Sequence, residues 1–536
     1  MDHNHPQSRW ATGGFRESNN AVTAGVAPQL FPSTGLRRGA LVSLLFALAF
    51  AIRVTGIESI PMDINAVKQY RSAMLARATF YHLGADIPRW KVEVADANAR
   101  ELGELVPPVL ESASALAYHA YGDESLIIPR LLSALAWLSG GIFLYLIALR
   151  ITSTDGALIS LAFYLFLPAA VVESTSFQPD PSMIGALLAS LYAVMRHHES
   201  AQRSWLLAAA ALSALAVLFK PVAIFFTLGA FAALAVSRGG WRQLPSRETA
   251  IFAVGSVAPT ALFYLWVMSR SALGEHSAFG FAPHLLLEQQ FYAGWLGMIH
   301  KTSGLSALVA GLAGLLVVPS GHRRNFLLGL WIAYGAYGLV KTYHIYTHPY
   351  YQLPLLPIVA LSLGATLAIT TTWLAGRSPT SLARHCGAAI AALPLLFSFG
   401  LVLQRYRAMP DFSAEVRAAE TIGRDIRHST RTILLARFSG RPLRYHGHFC
   451  GQYWPDAGEI AAESAVGLPV SSTEQRLDAL IKAGQAQYFI VRDLEELERQ
   501  NDLQQLLRAR YPVLIESPEY IIFDLRPSPA PVMPVG

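Results

Sequence analysis

Apolar runs separated by short polar connections fill the chain from residue 41 to residue 403. A hydrocarbon core about 30 Å thick is crossed by about 20 apolar residues in a helix. Eleven candidate runs stand out: Leu41–Gly56, Pro129–Leu149, Gly156–Glu173, Pro181–Met195, Trp205–Phe219, Pro221–Val236, Ala250–Met268, Ser303–Val318, Phe326–Val340, Leu353–Leu374 and Gly387–Leu403. Trp205–Val236 reads as a hairpin, because Lys220-Pro221 interrupts it. Proline breaks a helix and lysine resists burial in lipid. The pattern predicts an all-α polytopic membrane domain, residues 41–405, with about eleven transmembrane helices.

Between the first two runs lies a long loop, 57–128. Val67–Arg77 has helical spacing, and the apolar stretch Val109–Tyr121 resembles a helix lying along a membrane surface. After the last run the chain regains the charge density of a soluble domain. Ser413–Arg427, Thr473–Ala483 and Leu494–Ala509 read as helices, and Thr432–Ala436, Gln487–Val491 and Tyr520–Leu525 as strands rich in Ile, Val, Tyr and Phe. Residues 406–526 are therefore expected to form a small soluble α/β domain. The Gly-, Asn-, Ser- and Pro-rich residues 1–40 and the Pro-rich residues 527–536 read as disordered tails.

Composition agrees with a membrane protein. The 536 residues are 53% hydrophobic and 15% charged, against roughly a quarter charged in soluble domains, and the mean hydropathy is +0.36. This excludes a disordered chain, a fibrous repeat and an ordinary cytosolic enzyme. The net charge of +6 does not call for nucleic acid, because the arginines concentrate between apolar runs. Arg37 and Arg38 precede the first run, and every second connection is basic: Arg150; Arg196 and Arg203; Arg238, Arg242 and Arg247; Arg323 and Arg324; Arg377 and Arg384. By the positive-inside rule, the N-terminus is cytoplasmic and the C-terminal domain extracytoplasmic, in the cytoplasmic (inner) membrane. The two cysteines, Cys386 and Cys450, then lie on opposite sides and form no disulfide.

That topology brings the unusual polar residues to one outer face. Asp63 follows the first run; a carboxylate there would take a proton from an acceptor or hold a divalent cation, and the simpler reading is a helix N-cap. Asp180, between two prolines, invites the same two readings. Lys220 suits a phosphate partner or simple snorkelling. Tyr350 and Tyr351, next to His348, fit a sugar or lipid contact or an interfacial aromatic belt. His344 and His348 are four apart, but Pro349 argues against a helical metal pair. Arg53 is the cation found deep inside a run, and snorkelling accounts for it. Tyr445–Trp454 is aromatic and His rich, which fits a domain core as well as a belt contact.

The segment Pro61-Met-Asp-Ile-Asn-Ala-Val-Lys-Gln-Tyr-Arg-Ser-Ala-Met-Leu-Ala-Arg77 resembles the first-loop signature of membrane glycosyltransferases of the C superfamily. These are family 39-like enzymes related to protein O-mannosyltransferases and to the lipid A aminoarabinose transferase. Their pattern reads Asp-Phe-His-Pro-x-Arg-Gln-Tyr-x-Ser-Ala-x-x-Ala-Arg. Gln178-Pro-Asp180, Lys220-Pro221 and His348-Pro-Tyr-Tyr-Gln-Leu-Pro-Leu-Leu-Pro357 match in order. The resemblance spans about residues 40–410. Asn65 stands where relatives usually carry His, and Lys68 where they carry Arg; Asn is no base near neutral pH, and Lys lacks the bidentate fork of Arg.

The resemblance implies transfer of a sugar from a polyprenyl-phosphate donor to a glycan, lipid or protein acceptor at the outer face, inverting the anomeric centre. Asp63 would be the general base, and Asp180 would orient the acceptor or share a divalent metal ion with Asp63. Arg71, Arg77, Lys220 and Lys341 would hold the donor phosphate. Asn65, Lys68, Gln69, His348, Tyr350 and Tyr351 would line the substrate. Two other readings stay open. One is a scaffold of the same fold that has lost catalysis, motivated by Asn65 and Lys68. The other is a transporter of a lipid-linked or anionic substrate, whose charges would sit near the bilayer midplane.

Overall fold

Each apolar run forms a helix in the computed structural model, which describes residues 31, 35–84, 86–103, 106–270, 281–377, 380–465 and 471–526. The helices are Gly35–Val54, Ile127–Ile151, Thr154–Phe166, Pro168–Glu173, Pro179–Ser200, Arg203–Phe219, Ala223–Gly239, Arg247–Arg270, Leu305–Val317, His322–Val340, Leu355–Arg377 and Thr380–Ala408. Of the expected disordered tails, residues 1–30, 32–34 and 527–536 lie outside the described residues, and residues 35–40 instead open the helix Gly35–Val54.

About eleven crossings were expected, several of them short. Among the described residues, Gly35–Val54, Ile127–Ile151 and Arg247–Ser269 are long and apolar enough to cross a membrane alone. The run Gly156–Glu173 is broken at Leu167, whose extended backbone precedes Pro168, as the ring of a proline demands of its predecessor. The run Ser303–Val318 yields a helix of 13 residues, about 20 Å long. It joins an unforeseen helix, Gln289–Thr302, across a bend of 95°.

Small residues bring the interior helices together. A Cβ at Gly364 would run into the Gly156 carbonyl oxygen and the Ser160 hydroxyl, so Thr154–Phe166 and Leu355–Arg377 meet backbone to backbone. Arg53 does not snorkel. It is 1% exposed, and its guanidinium donates to Ser174 Oγ at 2.7 Å, Ala49 O at 2.9 Å and Leu165 O at 2.9 Å. A buried charge is tolerable only with partners of this kind. Here they tie three helical segments at one end of the bundle.

The long loop folds as three helices, Ala66–His82, Arg89–Leu102 and Val109–Tyr121. The first and third were expected. The third turns Leu110, Glu111, Ser114, Ala115 and Tyr118 inward, with Ser72 Oγ of the first helix donating to Glu111 Oε1 at 2.7 Å.

The C-terminal domain contains strands β1 (Thr432–Leu435), β2 (Gly451–Tyr453), β3 (Tyr488–Val491), β4 (Val513–Glu516) and β5 (Ile521–Asp524), in sheet order β2-β1-β3-β5-β4. β1 runs parallel to β2 and β3, and β5 antiparallel to β3 and β4. Ile433 and Leu435 pack on one face with Phe489 and Trp454, while Leu434 packs on the other with Ile490 and Phe449. A strand covered on both faces reads as a continuous apolar run, which is why β1, β3 and β5 were legible. β2 has three residues and β4 is an exposed edge, so neither carries that signal. The expected helix Leu494–Ala509 is two, Leu494–Arg499 and Asn501–Arg510. Cys450 is a buried free thiol; the side chain of Cys386 lies outside those described.

The domain is fastened to the long loop. Arg77 donates to both oxygens of Glu124, at 2.7 and 2.9 Å, and to Tyr445 O at 2.7 Å. Arg444 donates to Asn98 Oδ1 at 2.8 Å and Glu101 Oε2 at 2.5 Å. Arg441 Nη1 donates to Val67 O at 2.7 Å, and Tyr70 Oη lies 2.8 Å from His446 Nε2. Tyr445–Trp454 thus serves two purposes: Tyr445 and His446 face the loop, and Phe449 and Trp454 fill the domain core.

Candidate active site

Four breaks in helices converge at the end of the bundle beneath the long loop. The first is the start of helix Ala66–His82. Its N-cap position is Asn65, not Asp63, and Asn65 is left-handed at φ 48°, ψ 30°, a conformation asparagine tolerates better than most residues. The Asn65 amide makes no cap; it donates to Glu173 Oε2 at 2.7 Å. Gln178 Nε2 donates to the same oxygen at 2.8 Å. Gln69 pins the segment between them, accepting from Phe177 N at 2.9 Å and donating to Ile64 O at 2.8 Å.

The second break is the start of helix Pro179–Ser200. Gln178 holds the cap position and Asp180 the first turn, where the helix dipole favours a carboxylate. Asp180 is 1% exposed. Its Oδ1 accepts from Lys220 Nζ at 2.6 Å, and its Oδ2 is buried without a hydrogen-bond partner. The third break holds Lys220, extended ahead of Pro221. Burial alone would lower the Lys220 ammonium; the Asp180 carboxylate more than offsets this and raises it.

The fourth break follows helix His322–Val340 and carries Lys341, His348, Tyr350 and Tyr351. Lys220 Nζ sits 4.3 Å from the Tyr351 ring centre, and Lys68 Nζ 3.3 Å from that of Tyr350. Burial pushes the Lys68 ammonium down to about 7, with Lys220 adding to the fall and Asp180 and Glu173 opposing it. Burial, helped by Lys68 and Lys220, lowers His348 to about 4, so its ring is neutral near pH 7. The ring meets Tyr350 edge to face, 5.3 Å between ring centres, and its Nδ1 lies 2.6 Å from Thr347 Oγ1. Burial, with Lys220 adding, also lowers Lys341.

The structure thus gathers Asp180, Lys220, Lys68, His348, Tyr350 and Tyr351 into one cluster. Asp63 pairs elsewhere: its Oδ2 accepts from Arg405 Nε at 3.0 Å and from Arg405 Nη2. Neither aspartate caps its helix through its side chain. The two carboxylates hold different cations, and among the described residues no group of three His, Cys, Asp or Glu side chains converges for a metal. The residues present do not assemble a donor set around Asp63 and Asp180. The Arg77 guanidinium is committed to Glu124 and to the C-terminal domain, lying 3.7 Å from the Tyr445 ring centre. Arg71 Nη2 donates to Gly103 O at 2.8 Å and its Nε is buried without a partner.

Two participants were not singled out in the sequence. Glu173 is the one ionisable carboxylate in the run Gly156–Glu173, and a charge in an apolar run is itself a functional signal. Arg405 closes the last run, where a cation reads as an interfacial anchor.

The family model described as dolichyl-phosphate-mannose-protein mannosyltransferase matches residues 106–266. No curated protein matches the sequence. Among solved structures, ArnT from Cupriavidus metallidurans bound to undecaprenyl phosphate superposes with a TM-score of 0.57 at 16% identity, covering 90% of this chain and 98% of that one. The same enzyme in the apo state gives 0.58 at 16% identity and the same coverage. An Archaeoglobus fulgidus oligosaccharyltransferase tethered to an acceptor peptide gives 0.48 at 11% identity over 84% of this chain and 68% of that one, too distant to carry an argument. The chain thus shares the fold of ArnT over 90% of its length, and its residues 106–266 are similar to the mannosyltransferase family.

Proposed function

We propose that this chain is a glycosyltransferase that moves a sugar from a polyprenyl-phosphate donor to an acceptor at the extracytoplasmic face of the cytoplasmic membrane. The observation that carries the reading is the buried Asp180–Lys220 pair beside Lys68 and Tyr350, at the bundle end capped by the long loop. The ArnT likeness supports the choice of donor, since that enzyme is seen with undecaprenyl phosphate.

In this reading the acceptor oxygen or nitrogen attacks the anomeric carbon. The bond from that carbon to the phosphate oxygen breaks, and the polyprenyl phosphate leaves with the electron pair. Lys220, Lys68 and Lys341 offset the phosphate charge, a role that grows towards the transition state. Asp180 Oδ2, buried and unpartnered, receives the acceptor proton. Asp63 was expected to be that base; it pairs with Arg405, outside the cluster of Lys220, Lys68 and Tyr350, and is assigned to orienting the loop. Glu173, held by Asn65 and Gln178, keeps the cluster from excess positive charge. The Asn65 departure thereby acquires a partner, which favours an active enzyme over a catalytically lost scaffold. A transporter is disfavoured because the charges sit at the bundle end under the long loop and not near the middle of the bundle.

The test is product formation from a labelled polyprenyl-phosphate sugar, with the donor sugar chosen by mass spectrometry of co-purified lipid. Asp180→Asn should lower turnover by about 10²–10⁴-fold, the usual share of a general base. Asp63→Asn should cost less, and Asp86→Asn, at an exposed loop position, nothing. Unimpaired transfer by a folded Asp180→Asn variant would overturn the assignment, and a larger loss in Asp63→Asn would return the base to Asp63.

A further inference from the structure

In an open α/β sheet, ligands bind outside the carboxyl ends of parallel strands, where consecutive connections leave in opposite directions. The C-terminal domain has one such point. From β1 the chain passes to β2 on one side, then returns across to β3 on the other. At the carboxyl ends of these three strands lies a crevice of about 660 Å³, within the range of small-ligand sites. Its walls include Phe438, Tyr453, Asp456, Asp493, Glu496 and Arg437.

The walls disfavour an anion, because four carboxylates, Asp456, Glu459, Asp493 and Glu496, outnumber the two arginines Arg437 and Arg499. Phosphate sites of this architecture use free backbone N–H groups at helix starts. Here those groups are already taken by carboxylates: Ala457 N donates to Glu496 Oε1 at 2.6 Å, Glu459 N to Asp456 Oδ1 at 2.8 Å and Glu496 N to Asp493 Oδ1 at 3.1 Å. The second oxygens of Asp456 and Asp493 are acceptors for hydroxyl groups, while that of Glu496 pairs with Arg499 at 3.4 Å. Arg437, which forms no ion pair among the described residues, supplies donors. Phe438 is 38% exposed and offers a ring face. Acceptors, donors and an aromatic face together suit an uncharged, hydroxyl-rich ligand.

The position of the crevice connects it to the cluster below. Val67 forms part of its wall, and Val67 lies between Asn65 and Lys68 on the loop. Arg437 and Phe438 also border a second cavity of about 250 Å³ that reaches Met62, the neighbour of Asp63. We propose that the crevice binds a neutral saccharide unit of the acceptor, and so makes the C-terminal domain the acceptor-selecting part of the molecule. This rests on the glycosyltransferase reading for the word acceptor, but not for the binding of sugar.

Two measurements on the full chain in detergent separate the claims. The first is saturation-transfer NMR with maltotriose, chitotriose, mannotriose and, as the anionic probe, glucose 6-phosphate. At least one neutral trisaccharide should bind, Phe438→Ala should weaken it about tenfold, as loss of an aromatic anchor does, and Phe438→Tyr should restore it. Silence from all three trisaccharides, equal binding by Phe438→Ala, or tighter binding of glucose 6-phosphate would overturn the site. The second is steady-state transfer, where Phe438→Ala should raise KM for the acceptor about tenfold and leave KM for the donor alone. A rise in donor KM instead would overturn the acceptor assignment. If the unaltered chain consumes no donor, the glycosyltransferase reading fails while the NMR arm still decides the crevice.

Discussion

A lysine pressed against a tyrosine face and surrounded by other charges can change its own charge near neutral pH. Lys68, brought down to about 7 by burial with Lys220 adding to the fall, is a cation below that pH and neutral above it. If its ammonium offsets the leaving phosphate, kcat/KM for the donor should fall as pH rises through about 7. Arginine stays protonated throughout, so Lys68→Arg, the residue expected in relatives, should flatten the profile on the alkaline side. An identical inflection in the variant would remove Lys68 from the step. At this scale the sequence revealed residue types and little of their partners. Lys220 and Asp180 were both singled out, yet their pairing spans 40 positions. Asn65 read as a departure from the relatives, and its reason, Glu173, stands 108 positions away. Such partnerships are set by tertiary packing, which no local spacing encodes.

Helices and strands were more legible, because burial imposes a period on the sequence. The helix Val109–Tyr121 has the expected limits and helix Ala66–His82 extends the expected Val67–Arg77. The breaks at Asp180, Lys220-Pro221 and Lys341–Tyr351 were legible too, and they form the site; the break at Leu167 and the bend before Leu305 were not. The fastening of the loop to the C-terminal domain was not legible either, and it redirects one expected role. Arg77 was expected at the donor phosphate, but it is 5% exposed and bridges Glu124 to the Tyr445 carbonyl. Removing one partner of a buried pair typically costs about 3–5 kcal/mol; Glu124 keeps some solvent contact, so the lower end applies. Arg77→Ala should therefore lower the thermal midpoint and open the junction to protease, and adding Glu124→Gln should recover part of the loss. A variant with unchanged stability and a raised donor KM would restore the phosphate role.

For the whole molecule, the positive-inside pattern sets which end of the bundle should face out. The cluster, the long loop and the C-terminal domain share one end of the bundle: Lys68 of the loop meets Tyr350, and Arg441 of the domain meets Val67. The connections rich in arginine, such as Arg238 to Arg247, join helices elsewhere. If those connections face the cytoplasm, the catalytic end faces out, where a lipid-linked donor is used rather than a soluble nucleotide sugar. Single cysteines in a chain with Cys386 and Cys450 replaced by serine provide the test, read with a membrane-impermeant maleimide. Glu495→Cys, at an exposed position of the C-terminal domain, should label in intact cells. Arg242→Cys, exposed in the basic connection, should label only after lysis. The reverse pattern would turn the molecule over, placing the cluster and its crevice in the cytoplasm and removing the case for an extracytoplasmic acceptor.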